Sequence, residues 1–330
     1  MAKDVIYTNG IIAVKEKSLL KDRLFKLCEG TAEEAFKTLV ESGYGSGAEF
    51  SSLYDFELLT EAEDRALDEF IREYSPSAAE KTYLLSPRDF HNAKALLKAE
   101  YLKTEADKML APDGLFSVSE ISACVKSGDF SPLGTELAEA MREAAGLLND
   151  ERNAEARGGC ASGAEIGGVF ERALYKLLSA ASAKNGTLKK LSAAKADMTN
   201  ILTALRSSDP GYAGKMYVEG GKLKRSELDA LFCADAEKAA HALDKTPYRE
   251  FLKKCLDAKN AGLPLTEAER IRDSYETDFF AAKKYELQKN QPFLYYVFRR
   301  RAENANVRII FVCLLAGMRE QDIKKRLRAF

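Results

Sequence analysis

The feature that most constrains this chain is a segment that occurs more than once. Asp89-Phe-His-Asn92-Ala-Lys-Ala-Leu96-Leu97-Lys98 is echoed 108 residues on by Asp197-Met-Thr-Asn200-Ile-Leu-Thr-Ala204-Leu205-Arg206. Downstream, Gly114-Leu-Phe-Ser-Val-Ser-Glu120-Ile121 is echoed 107 residues on by Gly221-Lys-Leu-Lys-Arg-Ser-Glu227-Leu228. Two echoes at nearly the same offset hold the register across a whole unit. A third, weaker copy begins at Glu303-Asn-Ala-Asn306-Val-Arg308-Ile-Ile310, 106 residues beyond Asp197, and the sequence stops 28 residues into it. Residues 1–86 supply the length that this copy lacks. The sequence therefore predicts three similar lobes: 1–86 together with 303–330, then 87–196, then 197–302. Three such lobes closing on themselves surround an axis, with pseudo-threefold symmetry and a central cavity.

Each lobe reads as helix. Apolar stripes at helical spacing recur in Leu19, Leu20, Leu24, Leu27 and in Phe170, Leu174, Leu177, Leu178. The period of 3.6 has no competing alternation of period two, so the fold class is all-α, built of helical bundles. Breaks fall where Gly, Pro and Asn gather: Gly43–Gly47, Ser75–Ser77, Pro112–Gly114, Gly158–Gly168, Asp209–Gly214, Gly220–Gly221 and Gly262–Pro264.

Several function classes find no support. Lys plus Arg number 50 against 51 Asp plus Glu, so no global field selects nucleic acid. Basic runs at Arg299–Arg301 and Lys324–Arg326 lack the interleaved aromatics of an RNA platform. The longest apolar run, Ile309 to Met318, is ten residues, against roughly 20 needed to span a bilayer. Six scattered cysteines without a CxxC pair read as reduced, buried thiols of a cytoplasmic protein. Two histidines, His91 and His241, have no second His at ligand spacing, so no metal site is expected. A Walker A loop is absent, and Gly158–Gly168 reads as a flexible inter-lobe loop. Neither a catalytic residue nor a cofactor is assigned.

The candidate residues are the repeat's own: Asp89, Asn92, Asp197, Asn200, Glu303, Asn306 and Arg308. Asn92 and Asn306 lie on the apolar stripe, where a buried Asn must find partners or cost about 1–3 kcal/mol. One reading makes these side chains structural, with Asp89 after Pro87 acting as a helix-start cap. The other lines the central cavity with them. Residues 41–80 carry a net charge of −9 and residues 289–330 one of +7. The two blocks either face one another or offer Arg299, Arg300 and Arg301 to a partner.

The C-terminal stretch Pro292-Phe-Leu-Tyr-Tyr296, Glu303, Asn306-Val-Arg-Ile-Ile310, Gly317, Ile323-Lys-Lys-Arg-Leu-Arg328 resembles the end of the C-type subunit of bacterial and archaeal V-type ATPases, whose eukaryotic relative is the d-type subunit. The two Asp-x-x-Asn helices, Thr246-Pro-Tyr248, and Tyr7-Thr-Asn-Gly-Ile-Ile-Ala with Glu16 and Leu19-Leu20 resemble that family in the same order. The family's first helix often carries an Arg soon after the Tyr, where Ile11 to Val14 are apolar here. The resemblance implies a non-catalytic rotor subunit, peripheral to the membrane. It implies contacts to shaft subunits of the D and F type and to the proteolipid ring, with no membrane span and no nucleic acid. A soluble α-helical enzyme, with a pocket of perturbed ionisable groups, and a generic helical adaptor are the alternatives. Co-purification with membrane ATPase subunits separates them.

Overall fold

The computed structural model describes residues 5–106, 109–154, 163–232, 236–281, 283–286 and 290–330. Among them all regular structure is helical, as the periodicity requires. In chain order the α-helices are α1 (Val5–Lys15), α2 (Arg23–Lys26), α3 (Ala32–Glu41), α4 (Phe56–Tyr74), α5 (Ala78–Leu102), α6 (Val118–Ser127), α7 (Thr135–Ala154) and α8 (Gly163–Ser182). They continue with α9 (Gly186–Arg206), α10 (Pro210–Met216), α11 (Arg225–Asp229), α12 (Ala236–His241), α13 (Arg249–Asn260), α14 (Thr266–Ala281), α15 (Gln291–Leu315) and α16 (Glu320–Lys324). None of the described helices is long and apolar enough to cross a membrane.

The chain divides into two compact units, Met1–Ala78 with Pro264–Phe330, and Ala79–Leu263. The terminal unit is organised around α15, which packs against α4, α14, α1 and α3. A helix surrounded by others must be apolar on every side. Four consecutive residues, Phe293, Leu294, Tyr295 and Tyr296, accordingly point in different directions and are all buried. Phe311 stacks on Phe56 at 5.0 Å, Phe280 stacks on Phe298 at 5.5 Å, and Phe70 meets Phe293 and Tyr296. The polar residues of α15, Arg300, Glu303, Asn304 and Asn306, are buried too, and each must be satisfied inside.

In the middle unit, Phe90, Ala93, Ile121, Met141, Val169 and Phe170 form one core shared by α5, α6, α7 and α8. The neighbouring α9 is buried along most of its length and packs on α8, α10, α11 and α13. Local sequence sets the helix starts. Ser117 and Glu120 make a capping box for α6, Thr31 and Glu34 one for α3, and the Asn185 side chain caps α9.

Three sequence expectations change. Pro87 lies inside α5, which starts at Ala78, so Asp89 is mid-helix rather than a cap. Asp209 is itself a cap, accepting from the Gly211 and Tyr212 N–H groups, and Pro210 opens α10 within the expected break. Residues 158–162 of the glycine-rich segment lie outside the described residues, and Gly163, Gly167 and Gly168 are the first turns of α8. A side chain at Gly168 would strike Met216, with its Cβ 2.2 Å from Met216 Cε. The Met216 side chain packs over the bare backbone at Gly168, a residue that costs a helix about 1 kcal/mol.

Candidate functional site: three asparagine clamps and a buried charge network

In all three copies of the repeat, the Asn closes a loop by gripping one backbone residue with both ends of its amide. Asn92 Nδ2 donates to the Ala111 carbonyl at 3.0 Å while its Oδ1 accepts the Ala111 N–H at 2.8 Å. Asn200 does the same to Val218 at 3.0 and 2.8 Å. Asn306 repeats it on Arg328, again at 3.0 and 2.8 Å. A side-chain amide presents a donor and an acceptor side by side, which matches one peptide's N–H and C=O. Neither Asp nor Leu, close in size, can do so.

Three residues before each Asn, an acid caps a further backbone segment. Asp89 accepts the N–H groups of Leu115 and Phe116, and Asp197 those of Lys222 and Leu223. Tyr248 also donates its hydroxyl to Asp197 Oδ2 at 2.8 Å. The loop backbone comes so close that only glycine fits ahead of the capped amides. A Cβ at Gly114 would lie 2.2 Å from Asp89 Oδ1, and one at Gly221 2.3 Å from Asp197 Oδ1. This is why the glycines recur in register with the acids.

The third acid is built differently. Glu303 reaches the Leu20 N–H through Oε2 at 2.7 Å, while its Oε1 accepts from Arg300 Nη1 at 2.6 Å. Arg300 also lies 3.4 Å from Glu63 and donates to Ser18 Oγ at 2.7 Å. Glu63 accepts the Gly45 N–H. Beside this cluster, Tyr44 donates to Asn304, Asn304 donates to Asp64, and Arg308 donates to Asp64, at 2.7, 2.8 and 2.7 Å. Burial pushes the Glu303 carboxyl up, with Arg300 and the Leu20 N–H pulling it back. Burial opposes the charge on Arg300, but Glu303 and Glu63 outweigh it and hold the guanidinium above its ordinary value. Burial also raises the Tyr44 phenol.

Residues 8–326 match the family model for the ATP synthase (C/AC39) subunit. The chain belongs to that family. It is 21% identical over 281 residues to the C-type subunit of the V-type sodium ATPase of Enterococcus hirae, covering 83% of this chain and 82% of the relative. The V-type ATPase resemblance drawn from the C-terminal stretch is thereby borne out.

Within this family member, every acid and Asn of the repeat is buried. Their described hydrogen bonds run to the chain's own backbone and side chains. Arg308 is partly exposed and held by Asp64. The Arg299–Arg301 run does not act as one surface. Arg300 is 3% exposed and committed to Glu303 and Glu63, which takes it out of the partner-facing set, whereas Arg299 and Arg301 are half-buried. The acidic and basic blocks meet in part, through Glu63 with Arg300 and Asp64 with Arg308. His91 bonds the Met109 carbonyl, 18 residues on, and His241 bonds Asp244, three residues on. No group of acids, His and Cys among the described residues could hold a metal ion.

Sequence reasoning missed Glu63, Asp64, Asn304, Tyr44 and the Leu20 amide. The one signal for the first four was the paired charge blocks, which named the two stretches of chain but not the residues, and Leu20 lies outside both blocks. A further feature emerges on α1: Ile6, Tyr7, Gly10, Ala13 and Val14 are all exposed and share one uncharged face. The apolar Ile11–Val14 stretch thus divides, with Ile12 buried and Val14 65% exposed.

Proposed function

We propose that this chain is a non-catalytic central-stalk subunit of a rotary V-type ATPase or ATP synthase, coupling the central shaft to the membrane proteolipid ring in proton or sodium transport. The observation that carries this reading is the family match across residues 8–326. The Enterococcus hirae relative, whose name specifies a sodium ATPase, favours ion-transport coupling in the same sense.

The chemistry of the repeat agrees with a structural and mechanical role. Its buried acids and asparagines are engaged in fastening loops to helices, which stiffens a body that must pass torque. The three-lobe organisation, with the first lobe assembled from both termini, is the companion proposal. It is supported by the recurrence of one clamp three times at nearly constant spacing, and the socket-like closure rests on sequence symmetry and family resemblance. In this reading the protein sits at the cytoplasmic side and reaches the membrane only through its partners. The uncharged face of α1 is the surface we assign to assembly contact, because an exposed apolar stripe of this kind is costly unless covered.

The test is affinity purification of the tagged chain from cells expressing the complex. The shaft subunits and the proteolipid ring are expected to co-elute. Ala13→Arg, which places a charge on the exposed face of α1, should abolish co-elution while leaving the far-UV circular dichroism unchanged. Absence of every ATPase subunit from the wild-type eluate would overturn the proposal.

A further inference from the structure

The middle unit contains a cavity that the coupling role does not use. It has a volume of about 520 Å³ and lies among α5, α8, α9 and α10. Small-molecule sites span roughly 300–1,000 Å³, with apolar walls and a few polar groups. Phe90, Phe170, Leu174 and Met216 supply such walls, and Lys94 and Arg206 supply positive charge. Glu171 is the sole carboxylate of the lining and is exposed.

Lys94 carries the argument. It is partly buried, yet makes no hydrogen bond or ion pair among the described residues. One turn along α5, Lys98 faces the same end of α8, with Nζ 3.4 Å from the Gly163 carbonyl. Burial and the charge of Lys94 both push the Lys98 ammonium below its ordinary value. Like charges four residues apart on a helix oppose folding. The buried cation Arg300, by contrast, is neutralised by Glu303 and Glu63. Lys94 instead lines an apolar cavity with its charge unmatched. The Tyr212 hydroxyl, also in the lining, has no partner among the described residues.

We propose that this cavity is a binding site for a small aromatic anion, its ring between Phe90, Phe170 and Met216 and its acid group on Lys94. The volume and the aromatic walls are poorly matched to a bare inorganic anion. The unmatched cation is poorly matched to a neutral apolar ligand, because burying Lys94 beneath one would strip its solvation without replacement.

The probe is 8-anilinonaphthalene-1-sulfonate, an aromatic sulfonate whose fluorescence rises on binding, titrated into the full chain. Saturable one-to-one binding is expected, weakened at least tenfold by Lys94→Glu and unchanged by Lys37→Glu, a remote surface control. Gly167 lines the cavity, and a Cβ there meets no atom within 4 Å. Gly167→Leu also replaces a poor helix former with a good one. It should fill the cavity and remove saturable binding while the melting temperature is kept or raised. Competition by ADP but not by inorganic phosphate would support an aromatic anion, and competition by phosphate alone would reduce the site to simple charge pairing and overturn the aromatic assignment. Non-saturable binding, or equal binding by wild type, Lys94→Glu and Gly167→Leu, would overturn the site altogether.

Discussion

The two clamps of the middle unit and the clamp of the terminal unit solve one problem with different parts. Asp89 and Asp197 cap amides 25 to 27 residues downstream, on loops opened by Gly114 and Gly221. In the terminal unit Asn306 clamps Arg328. The capped amide there is Leu20, 283 residues away from Glu303. Taken alone, closing so long a loop costs about 2 kcal/mol more chain entropy than closing the short ones. The longer acid and the added cation accompany this change. Arg300 stands three residues before Glu303, where the other copies have Ser86 and Ala194. The difference teaches that the repeat preserves the capped geometry rather than the chain connection, and that a distant connection brings extra charge with it.

The largest effect should come from removing that charge. Arg300→Met leaves the buried Glu303 and the half-buried Glu63 without their shared cation, which costs about 3–5 kcal/mol. Ser86→Ala, at the matching position, should be close to neutral, since Ser86 Oγ is buried without a hydrogen-bond partner among the described residues. Chemical denaturation of both variants checks the pair. Equal losses would erase the distinction between the terminal and middle units.

The asparagine clamps should behave alike where the acids do not. Asn92→Ala, Asn200→Ala and Asn306→Ala each strand a backbone N–H and C=O, at about 2–4 kcal/mol per variant. A spread wider than that range in urea unfolding would show that the three copies are not equivalent.

How much of this is readable from sequence follows from what each residue depends on. The repeat, the all-helical class and the positions of Asn92, Asn200 and Asn306 depend on local pattern and are legible. Asp89 reads as a cap because Pro87 normally signals a helix start, whereas burial of Tyr83 to Ser86 on one side and of Asp89, Phe90, Asn92 and Ala93 on the other carries α5 through it. Arg300 reads as surface within a triple Arg run. Its burial is set by Glu63, which lies far away in sequence, and no local rule supplies that. The cavity beside Lys94 is invisible for the same reason, since its walls come from four helices.

The smallest expected effect compares the buried thiols of the two units. Burial pushes Cys28 up to about 11 and Cys255 up to about 12. A thiol whose folded value is raised adds stability that is complete below its unfolded value near 9, and that stability is lost as pH rises through the folded value. In alkaline titrations the contribution of Cys28 should therefore disappear before that of Cys255, as followed by thiolate absorbance at 240 nm in Cys28→Ala and Cys255→Ala. The reverse order would contradict the assignment.

The most direct test of the central claim, that the third repeat is completed by the opposite end of the chain, is native-state hydrogen exchange of the Leu20 amide in wild type and in Glu303→Ala. The account predicts that Leu20 is protected in wild type, and that the variant loses this protection together with amides in α15 and α4, while those in 79–263 keep theirs. Retained protection at Leu20, or opening of the middle unit first, would contradict it.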